Sequence, residues 1–197
     1  MNQTRRTQAQ RRAETYQQVL DSACRLFAKK GFAGTSLEDI ASDCGLTTRP
    51  VYHYFGNKLK LFNAVFDQMM VNILESLESV ETSDPASRLS QHWNTFLDMS
   101  DDSGFRQIVL VDGPNILGHE KWINSLVTEK AHELFGSMPA ASEEEKIQQQ
   151  LFGRMVIGAL AQAALMVAES EDRELAKKLA IKLVNNMLTS GSNTAKQ

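Results

Sequence analysis

Residues 35–58 read T-S-L-E-D-I-A-S-D-C-G-L-T-T-R-P-V-Y-H-Y-F-G-N-K, and few folds accommodate that order of signals. Thr35 stands three residues before Glu38, the spacing of a capping box, so a helix is expected from about Ser36 to Asp43. Leu37, Ile40 and Ala41 give that helix an apolar face at i, i+3, i+4. Gly45, after Cys44, supplies a residue that tolerates positive φ where the helix ends. Thr47 is placed to cap a second helix, and Pro50 falls in its first turn, where a missing N–H does little harm. Val51, Tyr54 and Phe55 recur at helical spacing and predict the buried side. Thr48, Arg49, Tyr52 and His53 are left on the outer face. Hydroxyls, a guanidinium and an imidazole on one face suit phosphates and base edges. This is the helix-turn-helix pattern, whose second helix enters the major groove. An ordinary helical hairpin fits the same stretch, and the flanking chain has to separate the two.

The chain has 197 residues, enough for one large or two small domains, and its 42% hydrophobic content supports a proper core. No alternating β-rich run lies between turn signals, so the class expected is all-α. A net charge of −3 suits a DNA binder poorly until the chain is divided. Residues 1–60 carry ten Lys/Arg against five Asp/Glu, and residues 61–197 carry eleven against nineteen. A basic head on an acidic body is the asymmetry of a protein that meets nucleic acid at one end. Residues 1–12 hold Arg5, Arg6, Arg11 and Arg12 among Gln and Thr. They predict a mobile basic arm, either touching DNA or simply solubilising the terminus, with no secretory signal. Cys24 and Cys44 are too few for a disulfide framework.

Residues 13–30 place Tyr16, Val19, Leu20, Ala23, Leu26 and Phe27 on one stripe, ended by Gly31. With the two helices above they make a three-helix head, and residues 1–60 are taken as the head domain. Residues 57–80 predict one long helix leading from the head into the body, residues 61–197. Ser83-Asp84-Pro85 starts another, to about Met99. Gly113-Pro114 should break or kink the helix over 104–117 and open space for a ligand. A further helix is expected over 119–138. Residues 151–168 are apolar nearly all round; Arg154 and Gln162 interrupt them, so a buried helix is expected rather than a membrane span. With an amphipathic helix over 172–188, this segment either forms a four-helix interface with a second copy or closes one protomer's own core. Residues 190–197 should fray.

The run A-C-R-L-F-A-K-K-G-F-A-G-T-S-L-E-D-I-A, then C-G-L-T-T-R-P-V-Y-H-Y-F-G-N-K, resembles the DNA-binding head of the TetR family of bacterial transcriptional regulators. The resemblance covers about residues 13–62, with Phe27, Gly31, Thr35, Ile40, Ala41, Gly45, Tyr52, Phe55 and Lys58 in register. It implies a homodimer on a palindromic double-stranded DNA operator and a small-molecule effector in the body; the apolar patterning above places the dimer interface at about 143–168 and 172–188. It also implies DNA contacts from Thr35, Ser36, Thr47, Thr48, Tyr52, His53 and Lys58. Arg49 stands where many members have a small residue, and Pro50 comes one place later than the commoner proline. Arg49 can pair with guanine or reach only a phosphate.

Met69, Met70, Trp93, Phe96, Phe105, Trp122, Phe152 and Met155 are candidates to line an apolar effector pocket, although residues of these types at helical spacing more often pack the core. The effector expected is apolar or amphipathic. The four histidines are dispersed, and Glu129, His132 and Glu133 lack the His-Glu-x-x-His spacing of a metal site. With no Gly-rich phosphate loop and no nucleophile elbow, no catalytic residue, metal or cofactor is expected. The reading is a ligand-responsive repressor. The alternative is a helical interaction protein that holds a protein or lipid partner in an apolar groove.

Overall fold

A capping box starts the first helix earlier than its apolar stripe suggests. Thr7 Oγ1 accepts the Gln10 N–H at 3.2 Å and Gln10 Oε1 accepts the Thr7 N–H at 2.8 Å. Helix α1 therefore spans Gln8–Lys30, and Arg11 and Arg12 stand on it rather than in a mobile arm. The computed structural model describes residues 7–79, 85–118, 120–121, 124–130 and 140–194, and every regular element among them is helical. The rest of the expected arm, Ser83, Asp84, Trp122 and most of the helix expected over 119–138 lie outside those residues.

The head is built from α1, α2 (Leu37–Asp43) and α3 (Thr48–Phe55). Its core joins Val19, Ala23 and Phe27 of α1 to Ile40 of α2, Val51 and Phe55 of α3 and Leu61, Phe62 and Val65 of the next helix. Phe27, Phe32 and Phe62 pack as a triad with ring centroids 5.1–5.9 Å apart. Gly45 makes the turn between α2 and α3 at φ 65°, a conformation that costs a residue with a Cβ. Asp43 pins α2 to α1: its Oδ2 accepts from Ser22 Oγ at 2.6 Å and Arg25 Nη2 at 2.7 Å. The Ser22 hydroxyl first, and Arg25 second, hold the Asp43 carboxyl below the usual carboxylate range.

Helix α4 (Lys58–Glu78) carries the chain into the body. Its first half closes the head core, and its second half, from Phe66 through Met70 and Ile73 to Leu77, enters a separate body core. That second core is completed by Trp93 and Leu97 of α5 (Pro85–Met99), by Phe105, Val109 and Leu110, and by two long helices, α7 (Glu143–Glu169) and α8 (Arg173–Thr194). Helix α8 runs on through Ser190 to Thr194, where fraying was expected.

The Gly113-Pro114 segment stays helical instead of breaking. A short α6 (Ser103–Phe105), capped by Asp102, leads into a π-helix over Arg106–Leu117 that contains Pro114. Wide winding accommodates a residue without an N–H, and π-helical turns often mark functional segments. Among the described residues of the stretch expected as a helix over 119–138, Asn124 and Ser125 turn, and Ser125 Oγ accepts the Thr128 N–H ahead of a helical stretch over 126–130.

Helix α7 has one buried and one exposed side in the protomer. It is long and apolar enough to cross a membrane by composition, yet in the protomer Leu151, Met155 and Met166 are 58%, 72% and 73% exposed. Gly153, Val156, Ala164 and Val167 form its buried side.

Two stability outcomes follow. A Cβ at Gly113 would lie 2.6 Å from Phe66 Cε2 and 3.0 Å from the Ile108 carbonyl, and Phe66 is fully buried. Gly113→Ala should therefore destabilise the fold by about 1–3 kcal/mol in urea unfolding. Asp43 has a folded-state pKa below its unfolded one. Its contribution is present above the unfolded value and lost as pH falls through the folded one. Wild type and Asp43→Asn should differ in stability at neutral pH, and the difference should shrink as pH drops below about 4, the ordinary carboxylate value, and vanish only below the lower folded-state pKa.

Candidate nucleic-acid interface

Helix α3 is a short rod anchored on one side. Val51 is wholly buried, Phe55 nearly so, and the Tyr16 ring stacks on Phe55 at 4.7 Å and meets Tyr54 edge-on at 6.0 Å. Around the other side Thr47, Arg49, Tyr52 and His53 are exposed and Thr48 is half-buried. The five side chains that the sequence assigns to the reading surface here are thus on one solvent-facing rim, and none has folded into the core.

Thr47 occupies the N-cap position but makes no side-chain capping bond. Such a bond needs the N–H of the second or third helical residue. The third is Pro50, which has none. The Thr47 hydroxyl is left for an outside partner.

The expected cap on α2 shifts by one residue. Ser36, not Thr35, is the N-cap: its Oγ accepts the Asp39 N–H at 3.0 Å while Asp39 Oδ2 accepts the Ser36 N–H at 3.1 Å. The Ser36 backbone N–H first, and the Ser36 hydroxyl second, hold the Asp39 carboxyl below the usual carboxylate range, ahead of Lys30 at 3.8 Å. Thr35 is buried, its Oγ1 within 2.9 Å of the Gly31 carbonyl and 3.2 Å of that of Leu26. Its hydroxyl satisfies carbonyls at the end of α1 and is not presented to a phosphate, contrary to expectation.

Lys58 also turns inward. Its Nζ donates to the carbonyls of Phe32 at 2.9 Å and Thr35 at 3.0 Å and lies 4.2 Å from the centre of the Phe32 ring. Two of its three N–H donors are engaged within the head. The Lys58 residue lines an open hollow of about 470 Å³, shared with Gly34, Ser36, Glu38, Asp39 and Tyr52. The hollow joins the start of α2 to the outer face of α3.

In the body, Met70, Trp93 and Phe105 are buried together, with Met69 and Phe96 packed against them. Phe96 stacks on Trp93 at 6.3 Å and meets Phe105 edge-on at 5.4 Å. Trp93 Nε1 and Asn94 Oδ1 are buried polar atoms without a hydrogen-bond partner. Phe152 is half-buried, and Met155 faces solvent, so Met155 does not line an interior pocket. Among the described residues no three His, Cys, Asp or Glu side chains gather as metal ligands; His132 and Glu133 lie outside them.

One contact had no signal in the sequence. Asp112 of the π-helix accepts the N–H of Phe32 at 2.7 Å, across a separation of 80 residues.

The matches to known proteins agree with this geometry. The model for bacterial regulatory proteins of the tetR family matches residues 19–65, and a tetracyclin repressor-like C-terminal domain model matches residues 86–191. The HTH-type transcriptional repressor NicS of Pseudomonas putida is 28% identical over 135 residues, which cover 66% of this chain and 56% of NicS. The chain thus spans about half the length of the curated relatives it matches. The crystal structure of a TetR-family regulator from Pectobacterium atrosepticum superposes with a TM-score of 0.71 at 26% identity, covering 93% of this chain and 96% of that one. FadR of Bacillus subtilis, solved with stearoyl-CoA, shares the fold at a TM-score of 0.65 and 16% identity, over 86% of this chain and 97% of that one. With its reading head and its body both matched, the chain belongs to the TetR family of bacterial transcriptional regulators.

Proposed function

We propose that the protein is a dimeric repressor that binds a palindromic operator and is released by a small-molecule effector. The observation that carries the DNA side is the rim of Thr47, Thr48, Arg49, Tyr52 and His53 around a helix whose other side is locked into the core. Ser36 and the remaining Lys58 donor, at the edge of the hollow, add phosphate contacts beside it. Two such heads one helical turn apart require a spacing of about 34–36 Å, which only a dimer supplies.

The dimer face is the exposed apolar side of α7 and α8. Leu151, Met155 and Met166 on one helix join Leu175, Leu179 and Leu183 on the other, at 52%, 49% and 68% exposure for the last three. A contiguous face of this kind is an association surface rather than ordinary solvent-facing surface. A second copy related by a two-fold axis covers it with its own α7 and α8. The apolar stretch thereby serves assembly in the cytoplasm, without a membrane.

The effector belongs in the aromatic core of the body. Its apolar or amphipathic character follows from Met69, Met70, Phe96 and Phe105, and the unpaired Trp93 N–H and Asn94 carbonyl call for a polar group on it. FadR with stearoyl-CoA shows an amphipathic molecule bound to a protein of this fold. The effector acts by shifting the population of body conformations, and a coupling of roughly 1–3 kcal/mol is enough for a useful switch.

Two outcomes test these assignments. In gel-shift titrations on the gene's own upstream DNA, Tyr52→Ala and Arg49→Ala should both weaken binding. If Arg49 reads a base, the loss is about 1–3 kcal/mol and confined to one operator position. If it holds a phosphate, the loss is uniform and the salt slope falls by about one. Unchanged binding in both variants would remove α3 from the interface. Met166→Glu combined with Leu183→Glu should give folded monomers in sedimentation velocity that no longer hold the operator. Persistence of the dimer would move the interface elsewhere.

A further inference from the structure

We propose that Asp112, a residue of the body, is a positioning residue for DNA binding: its carboxylate holds the Phe32 N–H and so sets the turn from which α2 and α3 are presented. The turn is gripped at one residue from two directions. Phe32 gives its N–H to Asp112 Oδ2 at 2.7 Å and its carbonyl to Lys58 Nζ at 2.9 Å, while its ring sits between Phe27, Phe62 and the Lys58 ammonium. Beside it, a Cβ on Gly31 would stand 3.2 Å from Gln107 Nε2 and 3.4 Å from Asp112 Oδ2, so the π-helix lies directly against the chain. Four residues further on, Ser36 caps α2.

The neighbour of Asp112 matters as much. Gly113 packs on Phe66 of α4, close enough that no Cβ fits between them. Two consecutive residues of the π-helix therefore touch the head's turn and the helix that joins head to body. Any displacement of this widely wound segment moves both contacts together. An N–H released by Asp112 frees the turn to rotate about the Lys58 anchor, and the reading rim turns with it.

This inference rests on the DNA-binding role of α3, and the test keeps the two apart. Asp112→Ala, Asp112→Asn and Tyr52→Ala are titrated against the gene's own upstream DNA, with thermal unfolding and sedimentation as controls. Amide exchange is read at Phe32 in each protein. Asp112→Ala should lose about tenfold or more in operator affinity while remaining a folded dimer, since a hydrogen bond to a charged acceptor is lost. Asp112→Asn keeps an oxygen that accepts the same N–H and should stay within about threefold of wild type. The Phe32 amide should be protected in wild type and Asp112→Asn and exposed in Asp112→Ala. Wild-type affinity in the alanine variant would overturn the proposal. So would an asparagine variant that falls as far as alanine, because charge rather than position would then be at work. A Phe32 amide that exchanges freely in wild type overturns it even if no variant folds. Loss of effect in Tyr52→Ala alone would instead count against the DNA-binding role of α3.

Discussion

Phe62 and Phe66 lie one turn apart on α4, and both are completely buried, yet each belongs to a different core. Residues four apart share a face of an α-helix, so a single apolar stripe runs unbroken from the reading head into the body. Truncating a buried phenylalanine costs about 3–5 kcal/mol, a large part of a domain's net stability of about 5–15 kcal/mol. Neither core can let go of α4 without unfolding. The head and body are distinct in sequence and charge, but mechanically they share one rod, and relative motion has to be accommodated at its sides.

What was legible follows from periodicity. The stripes of α1 and α4, the turn glycine at position 45, the start of α5 at Pro85 and the split of α3 into an anchored and an outward side all emerge from local spacing. The failures are as physical. Thr35-x-x-Glu38 and Ser36-x-x-Asp39 are two overlapping capping boxes, and spacing alone cannot choose between them. The choice falls to the tertiary fold, because Thr35 is needed to satisfy carbonyls at the end of α1. Thr7 and Gln10 carried a capping signature ahead of the apolar stripe that located α1, so its first turns were misread as arm. A helix apolar on all sides, as α7 nearly is, has no phase to tell Met155 from Val156. The Asp112–Phe32 bond and the inward turn of Lys58 join residues too far apart in sequence for any local pattern to signal.

The electrostatics of the head are less simple than its net basic charge. Of the cations near the reading surface, Lys58 is committed to backbone carbonyls and Lys30 lies near Asp39. Arg25, on α1, is tied to Asp43. These groups shape the turn and hold α2 on α1, and only secondarily contribute to the field that DNA meets. Arg49 and His53, both exposed on α3, stand apart from those pairs. Among the described Lys and Arg side chains of the head, Lys58 alone turns inward; Arg25 and Lys30 stay exposed while paired with acids.

Pro50 leaves α3 without its usual cap, and the helix is only eight residues long. A helix that short does not persist by itself in water. It exists because Val51 and Phe55 are gripped by the rest of the head. Its outward residues consequently contribute little to whether the protein folds. The outward face of this helix can therefore change its chemistry while the scaffold beneath it stays the same.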